Sequence, residues 1–394
     1  MIQSIHIENF KSLVDFTAEF SEVTALIGMN SVGKSSLLQA MQFICGSVKE
    51  DYDVFLKDRY WKVENIKSKF IKSNKIKFDL VFSIRDEVGE DHIFKWNSEI
   101  GVNITKNEMH LAYECIEADD QTLIEYNPKT HGHLFVRPEN EEFSGDVYFG
   151  DGFVFRSSVI KNLNSKKNDF DPRISLFVNH ISNFMSFELL NPDDMRQSSR
   201  GLSDIIGASG KHLPSFIKKM SADQKKSFMK KIKWLFEDRI SDIDTITTGQ
   251  YRWTQITVNE EYDSSMIKIT SRDLSDGMLR LIAIVAISEI RKGASIFLFD
   301  EVENGINVHY VEKLVELFKE MCRETGNQVI FTTHSTLFLD YMDPSSINML
   351  VRNKDGGTES KKIFDTDDMK KRLKYMYPGE IILNMDNNTI QVKE

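Results

Sequence analysis

Cysteine is scarce in this chain of 394 residues: Cys45, Cys115 and Cys322 are widely spaced and odd in number. That argues against a disulfide framework or a cysteine-based zinc site, and for a reducing, cytoplasmic setting. Long apolar runs are missing as well. No stretch approaches the roughly 20 residues of a membrane span, so no membrane association is expected. Met1 leads straight into an alternating pattern (Ile2, Ile5, Ile7), so no secretion signal is expected either. Positive charge is not in excess: the formal net charge is −10, and the surface as a whole is no magnet for nucleic acid. Internal repeats, low-complexity tracts and sustained heptads are also lacking. What remains is an ordinary composition, 41% hydrophobic and 28% charged, with length for two or three lobes.

Four short segments carry the chemistry. Gly28-Met29-Asn30-Ser31-Val32-Gly33-Lys34-Ser35 is a complete G-x-x-x-x-G-K-S phosphate loop. It lies between an apolar run at Val23–Ile27, read as a buried strand, and Ser36–Phe43, whose apolar residues recur at helical spacing. Gly28 and Gly33 permit backbone conformations that larger residues resist. The turn, with Asn30, Ser31 and Ser36 in the same cradle, aims N–H groups at phosphates, and the helix N-terminus adds a favourable dipole. Lys34 would reach the outer phosphates and Ser35 would offer its hydroxyl to Mg²⁺.

The second segment, Ile296–Phe299, is a continuous apolar run of the kind buried on both faces in a parallel sheet, and it ends on Asp300-Glu301. Catalytic groups in open α/β sheets gather at the carboxyl ends of strands. Asp300 would hold Mg²⁺, directly or through water, and Glu301 would act as general base on water. The bland alternative is a solvated strand end. One helix later (Val308 to Cys322), the apolar run Gln328–Phe331 is followed by Thr332-Thr333-His334-Ser335, which would set His334 beside a γ-phosphate and its attacking water. The fourth segment is Leu274-Ser275-Asp276-Gly277, ahead of an apolar helix from Met278 to Ile290. Ser275 and Gly277 would make a second phosphate-binding helix start; a simple helix cap is the alternative.

Along the chain, residues 1–46 are read as the N-terminal part of the core that carries the phosphate loop and 47–160 as a β-rich lobe. The latter rests on short alternating runs such as KIKFDLVFSI and MHLAYECI, broken by Asp, Asn and Gly as in an antiparallel meander. Residues 161–245 read as a helical lobe, from the spacing in SLFVNHISNFMSF, LPSFIKKM and SFMKKIKWLF. Residues 246–345 return to the core, with strands expected at Tyr251–Val258 and Met266–Thr270, and 346–394 form a short α/β tail. Lys57–Lys77 and Lys211–Lys233 are dense in Lys and Arg. They are read as solvated helix faces or as phosphate-tracking surfaces, so DNA stays open as a partner. Asp365, Asp367 and Asp368 read as a helix start rather than a metal site.

The order of these four segments resembles the head of ATP-binding cassette (ABC) ATPases. The interval between Lys34 and Ser275 is longer than in transporter ATPases, and it lacks the coiled coil of SMC proteins. The wording resembles compact RecF-like and OLD-like bacterial AAA family ATPases, SMC-related and known from anti-phage defence: IxIENFKS (Ile5–Ser12), LSDG-x-LR (Leu274–Arg280), DE-x-ENG (Asp300–Gly305) and TTHS (Thr332–Ser335). Gly207-Ala208-Ser209-Gly210 before His212-Leu213-Pro214 is similar to a further element of theirs. Val302 stands where the family usually has Pro, and Asn307-Val308 where it has His-Pro. Gln197, in the segment Leu190–Gln197, occupies the place of the family's metal-sensing glutamine loop.

The resemblance implies an α/β fold: a P-loop NTPase of ABC-ATPase head type with an antiparallel β lobe and an inserted helical lobe. It implies ATP and Mg²⁺ as ligands, with Ser275 and Gly277 capping the ATP of a second copy, and slow turnover. Only a short tail follows His334, too short for the Toprim nuclease domain of OLD proteins, so the chain itself would cut nothing. The implied role is a homodimeric switch controlling a separately encoded effector, often a nuclease, in anti-phage defence. A RecF-like DNA repair clamp and an ATP-dependent scaffold with little hydrolysis remain as alternatives.

Overall fold

The computed structural model describes residues 1–129, 132–140, 145–149, 152–163, 170–188, 190–250, 252–262, 265–290 and 296–385. In chain order the first part comprises β1 (Ile2–Phe10), β2 (Leu13–Glu19), β3 (Val23–Ile27), α1 (Lys34–Gly46), α2 (Tyr52–Lys57) and α3 (Val63–Ile66). Then come β4 (Lys75–Arg85), β5 (Asp91–Asn103), β6 (Glu108–Ala118), β7 (Gln121–Asn127), β8 (His133–Val136) and β9 (Asp146–Tyr148). The middle carries α4 (Pro172–Ser182), β10 (Met185–Glu188), α5 (Pro192–Arg196), α6 (Leu213–Lys219), α7 (Ala222–Phe236), β11 (Ile240–Thr248), β12 (Trp253–Tyr262) and β13 (Ser265–Thr270). The last part holds α8 (Asp276–Ser288), β14 (Ile296–Asp300), α9 (Val311–Thr325), β15 (Gln328–Thr332), α10 (Thr336–Asp340), β16 (Ile347–Arg352), β17 (Thr358–Lys361), α11 (Asp367–Arg372) and α12 (Pro378–Leu383).

Among the described residues, three sheets result. An antiparallel sheet of eight strands runs β2-β1-β4-β5-β6-β7-β8-β9. The expected meander is there, and its strands alternate buried and open positions, as in β4. The sheet also recruits β1 and β2 from the first 46 residues, because β1 pairs with β4 in register Ile5↔Leu80 and Ile7↔Phe78. The second sheet, of six strands, runs β10-β14-β15-β3-β16-β17 and is parallel from β10 to β16. The third, β11-β12-β13, is a small antiparallel sheet.

The central strands of the six-stranded sheet are apolar on both faces, and their alternation sorts two cores. Leu26, Leu298, Ile330 and Leu350 face a core shared with α1, α4 and the eight-stranded sheet. Ala25, Ile27, Phe297, Phe299, Val329 and Phe331 face a second core built with α7, α8 and α9. Fully burying each of the larger side chains among these is worth about 1.5–3 kcal/mol against exposure. A continuous apolar run therefore had to lie between two layers.

Three local expectations are corrected. The run SLFVNHISNFMSF is not one helix: α4 stops at Ser182, and Met185–Glu188 becomes β10, parallel to β14 with Phe187 opposite Phe299. Stacking of Phe187 on Phe299, with ring centroids 5.4 Å apart, outweighs the helical spacing. Strand β11 opens at Ile240, inside the stretch read as helical, where Glu237 and Asp238 take left-handed φ values of 53° and 59° and end α7. The strand expected from Tyr251 starts at Trp253, and Tyr251 itself lies outside the described residues.

Candidate functional site

β3, β14 and β15 are neighbours, with Phe299 opposite Phe331 and Thr332 opposite Leu26. Their carboxyl ends therefore bring the phosphate loop, the acid pair and the histidine segment to one edge. Gly28 follows β3 with φ +144°, and a Cβ there would lie 2.4 Å from the Leu350 carbonyl oxygen. Gly33 has φ +114°, and a Cβ would meet Thr358 Oγ1 at 2.4 Å and Ser12 Oγ at 2.7 Å. Only glycine fits either place. The loop is braced from behind by β16 and β17. Arg352 donates to the Ser31 carbonyl from Nε (3.1 Å) and Nη2 (2.7 Å). Thr358 Oγ1 donates to the Val32 carbonyl (2.6 Å) and shares a second bond with the Ser12 hydroxyl (2.8 Å). Lys34 curls back, its ammonium donating to the Gly28 and Met29 carbonyls at 2.9 and 3.1 Å. Burial lowers its pKa from the usual lysine value, against the opposing fields of Asp300, Glu301 and Glu303.

At the end of β14, Asp300 Oδ1 accepts the Thr332 hydroxyl at 2.5 Å, and Thr332 Oγ1 in turn accepts the Glu301 N–H at 2.7 Å. Glu301 takes a left-handed φ of 47°, a strained place for a residue with a long side chain. Its Oε2 accepts from Asn304 Nδ2 at 2.6 Å. Glu303 Oε1 accepts the His334 backbone N–H at 2.6 Å, tying the histidine segment to the loop after the acids.

Ser275 caps α8, its Oγ accepting the Met278 N–H at 3.3 Å. A Cβ on Gly277 would lie 2.1 Å from the Gly305 carbonyl oxygen, so helix start and acid loop touch backbone to backbone. Arg196 of α5 donates to the Leu274 carbonyl at 3.0 Å and pairs with Asp276. Arg280, half-buried, feels the charges of Asp276 and Glu301.

A cleft of about 490 Å³ is lined by Asn30, Ser31, Gly33, Lys34, Ser35, Ser36, Glu301 and His334. Sequence reasoning singled out all eight. Gly28 and Asp300 are not among its lining residues; the Gly28 carbonyl is held by Lys34, and Asp300 is tied to the Glu301 backbone through the Thr332 hydroxyl. Ser275 and Gly277 are not among its lining residues, nor is Gln197. Gln197 is exposed at the end of α5, and the preceding residue Arg196 is bonded to the Leu274 carbonyl. A larger groove of about 940 Å³ lies at the other end of the sheet, beside Glu22 and Asn327, which precede β3 and β15. It holds the Arg85–Asp91 pair, with Asp86, Glu87 and His180, and none of the four sequence segments. The glycine cradle, the lysine, the hydroxyl of Ser35 and the facing carboxylates suit a nucleoside triphosphate with Mg²⁺: N–H donors and a cation for phosphate, hard oxygens for the metal.

Other expectations find plain structural uses. Lys218 donates to Thr247, and Lys219, Lys225 and Lys231 pair with Asp204, Asp244 and Glu289, leaving Lys226, Lys230 and Lys233 exposed on α7. Thr366 caps α11, with Asp367 and Asp368 in its first turn. Sequence reasoning gave no role to Glu303, Asn304, Thr332, Arg352 or Thr358. The first three stood inside quoted motifs, which was a usable signal; Arg352 and Thr358 carried none.

Comparison with known proteins agrees with this picture. The fold matches an SMC head bound to the C-winged helix domain of ScpA, with TM-score 0.53 and 14% identity, over 91% of this chain and 96% of the other. It also matches an SMC head with an extended coiled coil bound to the C-terminal domain of ScpA from Pyrococcus furiosus, with TM-score 0.52 and 12% identity, over 95% and 99%. The fold is thus that of an SMC-head-like α/β P-loop ATPase. A Helicobacter pylori protein named ATP/GTP phosphatase is 22% identical over 394 residues, covering 96% of each chain. The model of the family described as "AAA domain, putative AbiEii toxin, Type IV TA system" matches residues 23–340, most of the chain, and the protein belongs to that family of AAA-domain ATPases.

Proposed function

We propose that this chain is an ATP-hydrolysing switch that dimerises around ATP and controls a separately encoded effector, a nuclease by preference, in bacterial anti-phage defence. One observation carries the core of this reading. Lys34, Ser35, Glu301 and His334 share a single cleft, while Ser275 and Gly277, at the start of α8, stand outside it. A second copy is the natural owner of the ATP they would cap.

In this reading the phosphate loop grips the triphosphate through backbone N–H groups, and Lys34 exchanges the Gly28 and Met29 carbonyls for phosphate oxygens. Ser35 and Asp300 would hold Mg²⁺, which supplies charge neutralisation at the phosphates. Glu301 takes a proton from the attacking water, and His334 donates to the γ-phosphate. Turnover is slow, because the dimer must open to release product. The family's description names a toxin of a Type IV TA system, and the SMC heads of like fold carry a bound protein, ScpA. The second of these supports a protein partner. The Helicobacter pylori relative's name makes GTP the competitor to test beside ATP.

The test is the native mass of the Glu301→Gln variant, with ATP-Mg²⁺ and without, alone and with the protein encoded next door. The expected outcome is an ATP-dependent dimer that retains nucleotide and binds the neighbour. A monomer under all conditions refutes the switch. A lone dimer that retains DNA moves the role to a repair clamp, and wild-type turnover by Glu301→Gln moves it to a scaffold.

A further inference from the structure

The turn between β4 and β5 gathers three groups outside the cleft around Lys34. Asp86, Glu90 and His92 each offer one ligand atom, and these atoms lie within 4.8 Å of one another. Two of the three are already aimed. Asp86 Oδ1 accepts the N–H groups of Val88 (3.0 Å) and Glu90 (2.8 Å), which leaves Oδ2 for the imidazole side. On the far side of the ring, His92 Nδ1 is bonded to Asp119 Oδ2 at 2.8 Å, and Arg173 of α4 steadies that carboxylate at 3.4 Å. With Nδ1–H donated to Asp119, Nε2 carries the lone pair of a neutral ring, the arrangement that orients imidazoles toward metals. The spacing is telling. Nε2 lies 3.6 Å from Asp86 Oδ2, too long for a hydrogen bond of about 2.7–3.2 Å. Two ligands on one tetrahedral Zn²⁺, each about 2.0–2.1 Å from it, stand roughly 3.4 Å apart. Glu90 is exposed, and its carboxylate has no hydrogen-bond or ion-pair partner among the described residues. Asp86 also lines the groove of about 940 Å³. That wall holds a second imidazole, His180 of α4, which is 6% exposed and whose Nε2 has no hydrogen-bond partner among the described residues. Burial keeps it neutral, with its pKa pushed down to about 3. A buried nitrogen left unused in the same wall is a separate mark of a ligand there.

We infer that Asp86, Glu90 and His92 hold a divalent transition-metal ion of the Zn²⁺ class, with Asp119 as the positioning residue behind His92. The donor set selects the class: an imidazole with two carboxylates suits Zn²⁺ and its neighbours, whereas Mg²⁺ and Ca²⁺ prefer oxygen throughout. Three protein ligands are one short of a closed structural site, so a coordination position stays with water or a further ligand. Asp119 sits between β6 and β7, so the ion would tie the β4–β5 turn to the β6–β7 turn through His92. None of these residues lines the cleft around Lys34, and the ion is a different one from the Mg²⁺ of the triphosphate.

The competing role is a plain ion pair, in which a protonated His92 bridges Asp119 and Asp86; the hydrogen bond to Asp119, with Asp86 behind it, raises the pKa of the ring. Glu90→Gln separates the two, because Glu90 belongs to the metal trio and to no ion pair. The full chain, stripped of metal and free of nucleotide, is titrated with ZnCl₂ by calorimetry, and each protein is melted with and without the ion. The expected result is saturable binding of one Zn²⁺ to the wild type, with a higher thermal midpoint. Binding should weaken at least about tenfold in Glu90→Gln, which loses a ligand, and in Asp119→Asn, which loses the support of one. It should vanish in His92→Ala. The metal-free midpoint of Glu90→Gln should match the wild type, since that carboxylate supports nothing else. Zn²⁺ binding by Glu90→Gln within about twofold of the wild type puts the ion on some other surface histidine and overturns the inference. So does a wild type without saturable binding, and either result leaves His92 as an ion pair.

Discussion

Thr358→Val puts the bracing of the phosphate loop to a sharp test. Thr358 lies far from the loop in sequence, is 1% exposed, and its hydroxyl is bonded to the Val32 carbonyl and the Ser12 hydroxyl. Valine keeps the volume and β-branching and deletes only the hydroxyl. The Val32 carbonyl and Ser12 Oγ are then left without that partner, at about 1–3 kcal/mol for a buried group. The Thr358 backbone N–H bond to the Ser12 carbonyl (2.8 Å) is retained, so the hairpin itself stays docked. If a central cost of about 2 kcal/mol falls wholly on the loop in its phosphate-ready shape, ATP binding weakens roughly thirtyfold. If part of it falls on the whole fold, the loss of affinity shrinks and the thermal midpoint drops by a few degrees. The assay is titration of ATP-Mg²⁺ into a Glu301→Gln background, where turnover does not blur the equilibrium, with a melting curve of each protein. Affinity within twofold of the parent and an unchanged midpoint would refute the view that the tail hairpin shapes the loop.

Other expectations follow from single contacts. Gly277→Ala should destabilise the protein or weaken ATP-driven dimerisation, reversing the usual gain of about 0.5–1 kcal/mol for alanine in a helix, because the new Cβ meets the Gly305 carbonyl at 2.1 Å; a higher midpoint with normal dimerisation contradicts the packing. Burial pushes the Glu114 carboxyl up to about 7 from 4.5, despite bonds from Trp96 Nε1, Ser158 Oγ and the Val159 N–H. A folded pKa above the unfolded one gives stability that is complete below 4.5 and lost as pH rises through about 7. Between pH 5 and pH 8, Glu114→Gln should therefore gain on the wild type by roughly 3 kcal/mol in denaturant unfolding, and a constant gap rules this out. Chelating divalent cations should abolish hydrolysis without unfolding the chain, read by phosphate release and circular dichroism; metal-free turnover would remove Ser35 and Asp300 from a metal role.

Where local pattern and tertiary burial agree, the fold was legible in the sequence. Val23–Ile27, Ile296–Asp300 and Gln328–Thr332 are mostly apolar because both faces of the sheet are covered, and alternation in Lys75–Arg85 marks a strand with one open side. The failures sit where a distant partner decides. Met185–Glu188 has helical spacing to its N-terminal side, yet joins β14 because Phe187 finds Phe297 and Phe299 there. Nothing local announces that β1 continues into β4 across the whole phosphate-loop unit.

The site divides along the same line. The phosphate loop and Asp300-Glu301 are contiguous, because one turn of backbone must meet one phosphate group or one metal, and contiguous chemistry is visible as a motif. The supports of that chemistry come from elsewhere: Thr332 between Asp300 and Glu301, Arg352 and Thr358 behind the loop, Glu303 under His334. Each contributes one or two hydrogen bonds to another residue's backbone, a demand that many residue types meet and that no spacing reveals. It also explains why the last strands, readable only as a tail, matter to the cleft. Gly28 and Gly33 are needed because β16 and β17 press on them, at Leu350 and Thr358. The glycines that announce the motif thus record the pressure of a hairpin lying more than three hundred residues away, and a chain cut after Ser335 should keep every motif and lose the shape of the loop.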